Sequence, residues 1–561
     1  MGIIIDLEKK IKENWRKGIA LGQDKSLLLL SEIPSFTLEV PKDKKNGDYA
    51  TNIAMVISKS EKKNPRELAG ILVDLFKEVD DSEYISKIEI AGPGFINMYL
   101  TEKYLGEIIK EAIDQKNNYG HNEELKGEKI NLEFVSANPT GLLHMGNARG
   151  AAIGDTLANV FKALGAEVIK EYYINDAGNQ IENFGLSLDA RFREALGEKG
   201  VIFPENGYHG ADIMVTVKGY IEKNGTGLIN VSSEERIATL IEYSLSEKLD
   251  HIKTYLGKFG LVYDVWYRES TIHNSGAIEE TMDTLKEKGY LYENEGAIWL
   301  KTTSMGEEKD EVMIRNNGHP TYFAADIAYH KNKYDRGFNR LINIWGADHH
   351  GHVARMKRAM EAIGYSADGL EVILMQLVRL YKNGEILRMS KRTGTYVTLE
   401  ELLEEVGKDA ARYFFVMRNP DSHLDFDMDL AKSDSADNPV FYIQYAYARI
   451  SSILRQIGDG EIDKYLDETE IVLGLDIEKE LALKIGELEK VLIDAGVRRE
   501  PYRVAAFALE LATLFHQFYS SCRVLNEEEH VKKNRLKLII ATKYTLENVL
   551  GILGVSAPER M

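Results

Sequence analysis

The sequence predicts a multidomain α/β protein in which a doubly wound parallel sheet lies between an N-terminal α+β domain and a C-terminal all-α helical bundle. Three observations point there. From Gly120 to about Ile386, strand patterns alternate with helical ones, the order that builds a parallel sheet covered by helices. Before Gly120, short strand and helix patterns are mixed, and from Asn438 onward long amphipathic helical patterns follow one another without a strand signal. A chain of 561 residues exceeds what one core supports. The divisions fall at 1–115, 116–430 and 431–561.

Composition narrows the class. A hydrophobic share of 44% with 28% charged residues suits a globular chain with sizeable cores. A formal net charge of −19 excludes a protein that coats nucleic acid by bulk attraction, so no DNA partner is expected and any RNA contact must come from local basic faces. The single cysteine, Cys522, excludes internal disulfides and Cys-rich zinc sites, and is expected in the core. The stretch MGIIIDLEKKIKENW is too charged after Ile5 for a signal peptide, and Asp6 stands where a myristoylation signal needs Ser or Thr. No apolar run approaches the roughly 18 residues of a membrane span. A cytoplasmic protein is expected, and the absence of heptads or repeats points to a monomer.

In the N-terminal domain the pattern predicts a helix through Trp15, a strand near Phe36 to Val40, helices from Ala50 to Ser58 and after Pro65, and paired strands at Ile88 to Ile90 and Phe95 to Leu100. The central domain opens with Lys129 to Asp155. There an apolar run from Ile130 to Val135 is broken by Asn138-Pro139-Thr140-Gly141, and His144-Met145-Gly146-Asn147 starts a helix running from Ala148 to Leu164. The free N–H groups of that first turn make an anion site fit for a phosphate. The next strand, Glu167 to Ile174, ends in the polar turn Asn175 to Gln180, where open α/β sheets collect ligands.

Gly185 to Leu249 reads as a mostly helical insertion without recognisable chemistry. Tyr290 to Leu300 and Glu311 to Arg315 are strand patterns leading to Tyr322 and Asp326, with helical spacing from Ile327 to Tyr334. Leu341 to Gly346 is a buried-strand pattern followed by Ala347-Asp348-His349-His350-Gly351-His352 and a helix from Val353 to Ile363. These histidines lack the wider spacing and the carboxylate or Cys partners of zinc sites, so no metal site is expected. Glu371 to Leu380 is a further strand, Lys382 to Glu385 a hairpin turn, and Arg388-Met389-Ser390-Lys391-Arg392 a basic loop. Such a loop can clamp an anionic leaving group as its charge builds.

The helical C-terminal part carries Tyr442, Tyr445 and Tyr447 at spacings that suit core packing, with stacking on a base as a second use. Arg498, Arg499, Arg503, Lys532, Lys533, Arg535 and Lys537 supply positive charge that phosphates can use, or a solvated helix face.

His144-x-Gly146-Asn147 and Met389-Ser390-Lys391 resemble the HxGH and KMSKS motifs of class I aminoacyl-tRNA synthetases. Glu133-Phe-Val-Ser-Ala-Asn138, Gly154-Asp155, the GADHHGH stretch, GDYATNIA (Gly47 to Ala54), AGPGFINMYL (Ala91 to Leu100), Asn438 to Arg449 and the terminal Ala557 to Met561 resemble arginyl-tRNA synthetases more narrowly. The resemblance implies a Rossmann-like catalytic domain, ATP as substrate with Mg²⁺, and L-arginine and tRNA(Arg) as partners. It implies catalytic roles for His144 and Lys391. ATP would be held by His144, Gly146, Asn147, His349, Met389, Ser390 and Lys391. Arginine would be held by Glu133, Ser136, Asn138, Tyr322, Asp326 and Asp348, with Asp326, Tyr322 and Glu133 on the guanidinium and Asn138 on the backbone ends.

A guanidinium demands planar acceptors in a fixed fork, which suits a carboxylate. The competing reading makes Asp326 an N-cap before Ile327. Asn147 departs from the family pattern, which most often has a second His there, and it cannot become a cation. Arg388 and Arg392 replace the outer residues of the second motif and keep it basic. Two rival classes share some of these features: another nucleotidyltransferase with the HxGH loop, which gives no reason for the helical C-terminal domain, and a silent tRNA-binding relative, which gives none for keeping His144 and Lys391.

Overall fold

The computed structural model describes residues 2–387, 397–458, 460–466 and 470–561. Five parallel strands form the central sheet: β1 (Lys129–Glu133), β2 (Glu167–Ile174), β3 (Val265–Arg268), β4 (Arg340–Gly346) and β5 (Leu370–Met375). Their spatial order is β5-β4-β1-β2-β3. From β1 the chain steps outward through β2 and β3, then crosses to the other side to lay down β4. The reversal between β1 and β4 is a topological switch point, where the connections leave in opposite directions and open a crevice at the carboxyl ends. In register, Glu133 at the end of β1 lies beside Asn343 of β4. Ile130, Leu132, Leu341 and Ile342 are fully buried, as expected for strands covered on both faces.

Three helices position the crevice: α1 (Met145–Ala163), α2 (Tyr322–Asp335) and α3 (His350–Ile363). Helix α1 is buried along nearly its whole length, packed between the sheet and the C-terminal helices. Its alanines and glycines allow that closeness. A Cβ added at Gly154 would lie 2.3 Å from the ring of Phe134, just past the end of β1.

The N-terminal domain combines a four-stranded sheet with helices Ile3–Asp24, Ile53–Glu61 and Pro65–Val79. The insertion is helical, with Asn179–Ala195, Ala211–Asn224 and Ser233–Lys258 around a small core of Phe184, Leu188, Phe192 and Val217. After Leu424–Asp427 no strand follows among the described residues, and helices including Pro439–Ile457, Tyr502–Ser521 and Glu529–Leu553 build the bundle. Its core runs without a break into that of the sheet. Cys522 is buried there. No helix among the described residues is long and apolar enough to cross a membrane.

Several elements differ from the sequence reading. Strand β3 is new; four residues are too few to show a period. Tyr49–Thr51 is a strand, paired with Phe95–Leu100, so the following helix begins only at Ile53. Tyr290 to Leu300 is a hairpin, Leu291–Asn294 and Ala297–Leu300, turned at Glu295 and Gly296 with φ of 52° and 74°, the left-handed pair a tight hairpin turn needs. With Glu311–Ile314 it forms a separate antiparallel sheet, so the alternation of patterns overstates the parallel one.

Glu371 to Leu380 also splits. Strand β5 stops at Met375, and Val378–Lys382 joins another sheet with Glu385–Leu387 and Leu424–Asp427. The break is fixed by Gln376, whose N–H donates to Pro420 and whose carbonyl accepts from the buried Arg149 of α1 at 2.7 Å.

Gly154→Ala is expected to cost ~1–3 kcal/mol, the usual range for overpacking a filled core, because the alanine methyl and the Phe134 ring cannot share that space. A lowered melting temperature with unchanged secondary structure is the expected reading; an unchanged one would show that the ring moves aside freely.

Candidate active site

At the carboxyl ends of β1 and β4 the crevice opens into a cleft of about 560 Å³. One wall comes from the turn after β1, where Val135 and Ser136 take left-handed backbone with φ of 69° and 35°. Each such residue costs of order 1–3 kcal/mol and persists only where its surroundings hold it. Here Ser136 Oγ donates to Glu133 Oε1 at 3.0 Å and accepts the Tyr173 N–H at 3.1 Å. Asn138 continues this wall and donates to Gln180 at 2.7 Å. The opposite wall carries Tyr322 and Asp326 from α2, with Asp348, His349 and His352 from the segment after β4.

A continuous polar chain runs beneath the cleft. The fully buried Lys333 ammonium lies 2.5 Å from Glu133 Oε2 and 3.3 Å from Asn343 Oδ1. Asn343 Nδ2 donates to His330 Nε2 at 2.7 Å. An Nε2 that accepts leaves the His330 proton on Nδ1, which faces the Asp326 carbonyl at 2.8 Å and Asp326 Oδ1 at 3.2 Å. His352 Nε2 meets Asp326 Oδ2 at 2.7 Å. Burial pushes the Asp326 carboxyl up, but His330 and His352 more than offset it and hold the group well below the usual carboxylate range. Glu133 thus reaches the cleft matched by an ammonium, whereas Asp326 is met by imidazoles. The N-cap reading of Asp326 fails, because Thr321 caps α2 by accepting the Ala324 N–H at 3.3 Å and Asp326 lies in the second turn.

The start of α1 forms a reciprocal cap. His144 Nδ1 accepts the Gly146 N–H at 3.1 Å, and Asn147 Oδ1 accepts the His144 N–H at 3.0 Å, a capping box in which each side chain satisfies a backbone donor of the other end. With Nδ1 accepting, the neutral ring carries its proton on Nε2. The segment beyond the basic loop returns here: Thr398 bridges His144, and the Leu399 N–H donates to Leu143 at 2.8 Å. Met389, Ser390 and Lys391, with Arg388 and Arg392, lie outside the described residues. His349 and His350 are exposed while His352 turns inward, and among the described residues no three His, Cys, Asp or Glu side chains converge as a metal site.

Sequence reasoning missed Lys333, Asn343 and His330 in this cleft, gave His352 no partner, and passed over Tyr173 and Glu269. Glu269 is buried beside Tyr173, and burial raises its carboxyl pKa despite the opposing hydrogen bonds of His273 and Tyr173. The spacings Asp326 to His330 and Glu269 to His273, one helical turn each, were the available signal.

Three family models match consecutive parts of the chain: arginyl tRNA synthetase N terminal domain over 7–100, tRNA synthetases class I (R), catalytic domain over 108–435, and DALR anticodon binding domain over 443–561. The chain belongs to the arginyl-tRNA synthetase family. An arginine--tRNA ligase of Desulforamulus reducens is 52% identical over the whole of both chains, and one of Heliobacterium modesticaldum 54% identical over 94% of each. Among solved structures, a putative arginyl-tRNA synthetase from Campylobacter jejuni is 37% identical, covers 82% of this chain and all of its own, and superposes with a TM-score of 0.76. The Thermus thermophilus arginyl-tRNA synthetase, 22% identical over 99% of both chains with a TM-score of 0.74, shares the fold.

For this member of the family, Asn147→Ala removes the acceptor of the His144 N–H and is expected to lower stability by about 1 kcal/mol, with Asn147→Asp retaining most of it. Thermal melts of the two variants check this; equal stability of Asn147→Ala and the parent would deny the cap its weight.

Proposed function

We propose that the chain is an ATP-dependent ligase that activates L-arginine to arginyl adenylate and transfers it to the terminal ribose of tRNA(Arg). The observation that carries this reading is Asp326, an ionised carboxylate fixed at the cleft wall opposite the turn of Ser136 and Asn138. A guanidinium stays protonated and calls for such a planar acceptor.

In the first step an oxygen of the arginine carboxylate bonds to the α-phosphorus of ATP, the bond from that phosphorus to the bridging oxygen breaks, and pyrophosphate leaves. In the second, a ribose hydroxyl of the tRNA attacks the activated carbonyl and AMP leaves. No covalent enzyme intermediate is needed. Catalysis rests on positioning and on charge stabilisation. His144 Nε2–H and the open N–H groups of α1 serve the phosphates, Gly146 gives the adenine ring room, and Asn147 holds the loop. His349, Met389, Ser390 and Lys391 complete the nucleotide contacts, with Lys391 reserved for the departing pyrophosphate. Mg²⁺ bound with the ATP would add charge stabilisation at the phosphates. On the arginine side, Asp326, Tyr322 and Glu133 take the guanidinium, while Ser136, Asn138 and Asp348 take the amino and carboxylate ends.

For the tRNA, Arg449 lies 4.4 Å from the rings of both Tyr445 and Tyr519, an exposed surface suited to stacking a base. At least three of the seven cations offered to phosphates are engaged within the protein. Arg535 and Lys537 are buried, Arg535 pairs with Glu478 at 2.6 Å, and Arg499 binds Glu371 at 2.8 Å. Action as a cytoplasmic monomer is part of the same proposal.

A charging assay with total tRNA, ATP and each of the twenty amino acids tests the reading: arginine alone should be attached, and attachment of another amino acid or of none would overturn it. Asp326→Asn is expected to weaken arginine binding about 30-fold or more, from the roughly 2–5 kcal/mol that follows breaking one side of a desolvated charge pair. Titration with ATP and tRNA present measures it. Lys391→Ala should slow single-turnover adenylate formation about 100- to 1000-fold with little change in arginine affinity. An unchanged rate removes Lys391 from the chemistry.

A further inference from the structure

We propose that His352 is a specificity-determining positioning residue: by holding Oδ2 of Asp326 it fixes the plane of that carboxylate, so that the cleft favours a planar guanidinium over a tetrahedral ammonium. The inference rests on the arginine reading above and concerns how the choice is made.

An aspartate on a helix does not orient itself. The terminal torsion of its carboxylate is broad, so the plane rotates over a wide range unless both oxygens are engaged. Here two imidazoles from different elements engage them. His330, one turn along α2, reaches Oδ1 at 3.2 Å, and His352 of α3 reaches Oδ2 at 2.7 Å. His330 cannot move, being 1% exposed and bound at its far nitrogen by Asn343.

His352 is the adjustable anchor. Its side chain is 24% exposed, and its ring is set against Trp345 and Phe323 at centroid distances of 5.5 and 5.6 Å. These two aromatic neighbours pack against the ring while Nε2 meets the carboxylate.

Each carboxylate oxygen accepts about two hydrogen bonds. With an imidazole set beside each oxygen, the carboxylate keeps acceptor capacity on both oxygens for a ligand. That is the arrangement a guanidinium meets with two parallel N–H groups. A lysine ammonium carries its donors on a tetrahedron and can use only one of the two sites well. Without His352 the plane turns freely about the His330 anchor, the guanidinium loses its paired geometry, and the ammonium loses nothing.

The test is tRNA-supported ATP–pyrophosphate exchange, with KM and kcat for arginine and the inhibition constant of lysine measured for the parent, His352→Leu and His352→Gln. Leucine keeps bulk without a donor; glutamine returns an N–H near the position of Nε2. His352→Leu should raise the arginine KM about 10-fold, the size of one lost hydrogen bond to a charged group, with a much smaller change in kcat and a similar fall in the arginine-to-lysine preference. His352→Gln should restore most of both. Should the leucine variant fail to fold, His352→Asn, whose amide is too short to reach Oδ2, is expected to show the same loss. Unchanged KM and preference, or a fall in kcat that glutamine does not rescue, would overturn the proposal. If Asp326→Asn leaves arginine affinity intact, the arginine reading itself falls; if it does not while His352→Leu is silent, only the present inference fails.

Discussion

Strands β1 and β4 lie side by side and parallel, yet the chain leaves them in opposite directions, and everything the cleft does depends on that divergence. It parts the turn of Ser136 and Asn138 from the segment of Asp348 to His352, and it leaves room between them that neither connection can fill. Two carboxylates face this space and they are stabilised differently. Glu133 has a buried ammonium beside it, a pairing whose disruption typically costs about 3–5 kcal/mol because the surviving charge is left without a partner. Asp326 has imidazoles, which hold its charge and leave acceptor sites for a ligand. Lys333, Asn343 and His330 link the two, so that β1, β4 and α2 share one hydrogen-bonded floor.

Helix α1 ties this floor to the rest of the molecule. Its first turn carries the reciprocal cap of His144 and Asn147, and its later turns carry buried polar side chains toward other domains. Asp155 is held by Lys170 of β2 at 2.9 Å and by Arg412 at 2.7 Å. Arg412 also donates to the Leu553 carbonyl at the end of the C-terminal bundle and to that of Phe259 after the insertion. Arg149 secures the break after β5 and donates to Asn419 at 3.0 Å, on the two segments that lead into the neighbouring sheet. Small residues along α1 make these reaches short. A helix of large side chains would push the bundle off the sheet and the motif out of register.

Much of this was legible. The alternation of strands and helices pointed to a doubly wound parallel sheet between an α+β domain and a helical bundle, and His144-x-Gly146 marked where α1 starts. What sequence hid was pairing at a distance. Lys333 and Glu133 are 200 residues apart and Asp326 and His352 are 26, and no period or spacing records either pair. Asn147 read as a weakened second histidine, and only geometry shows its oxygen closing a capping box. Arg499 and Arg535 read as surface charge because a helix pattern says which positions share a face but not which face meets another domain. Glu295 hid a hairpin, since nothing about a glutamate announces left-handed backbone.

The ligand group proposed for the cleft is a charged, planar guanidinium. The most direct measurement is the affinity of citrulline against that of arginine, by titration in the presence of tRNA. Citrulline keeps the length, the planarity and the backbone ends, and replaces the cation with a neutral urea group. A citrulline affinity about 30-fold or more below that of arginine is the result expected if the Asp326 charge is matched in the complex. Equal affinities would contradict the account.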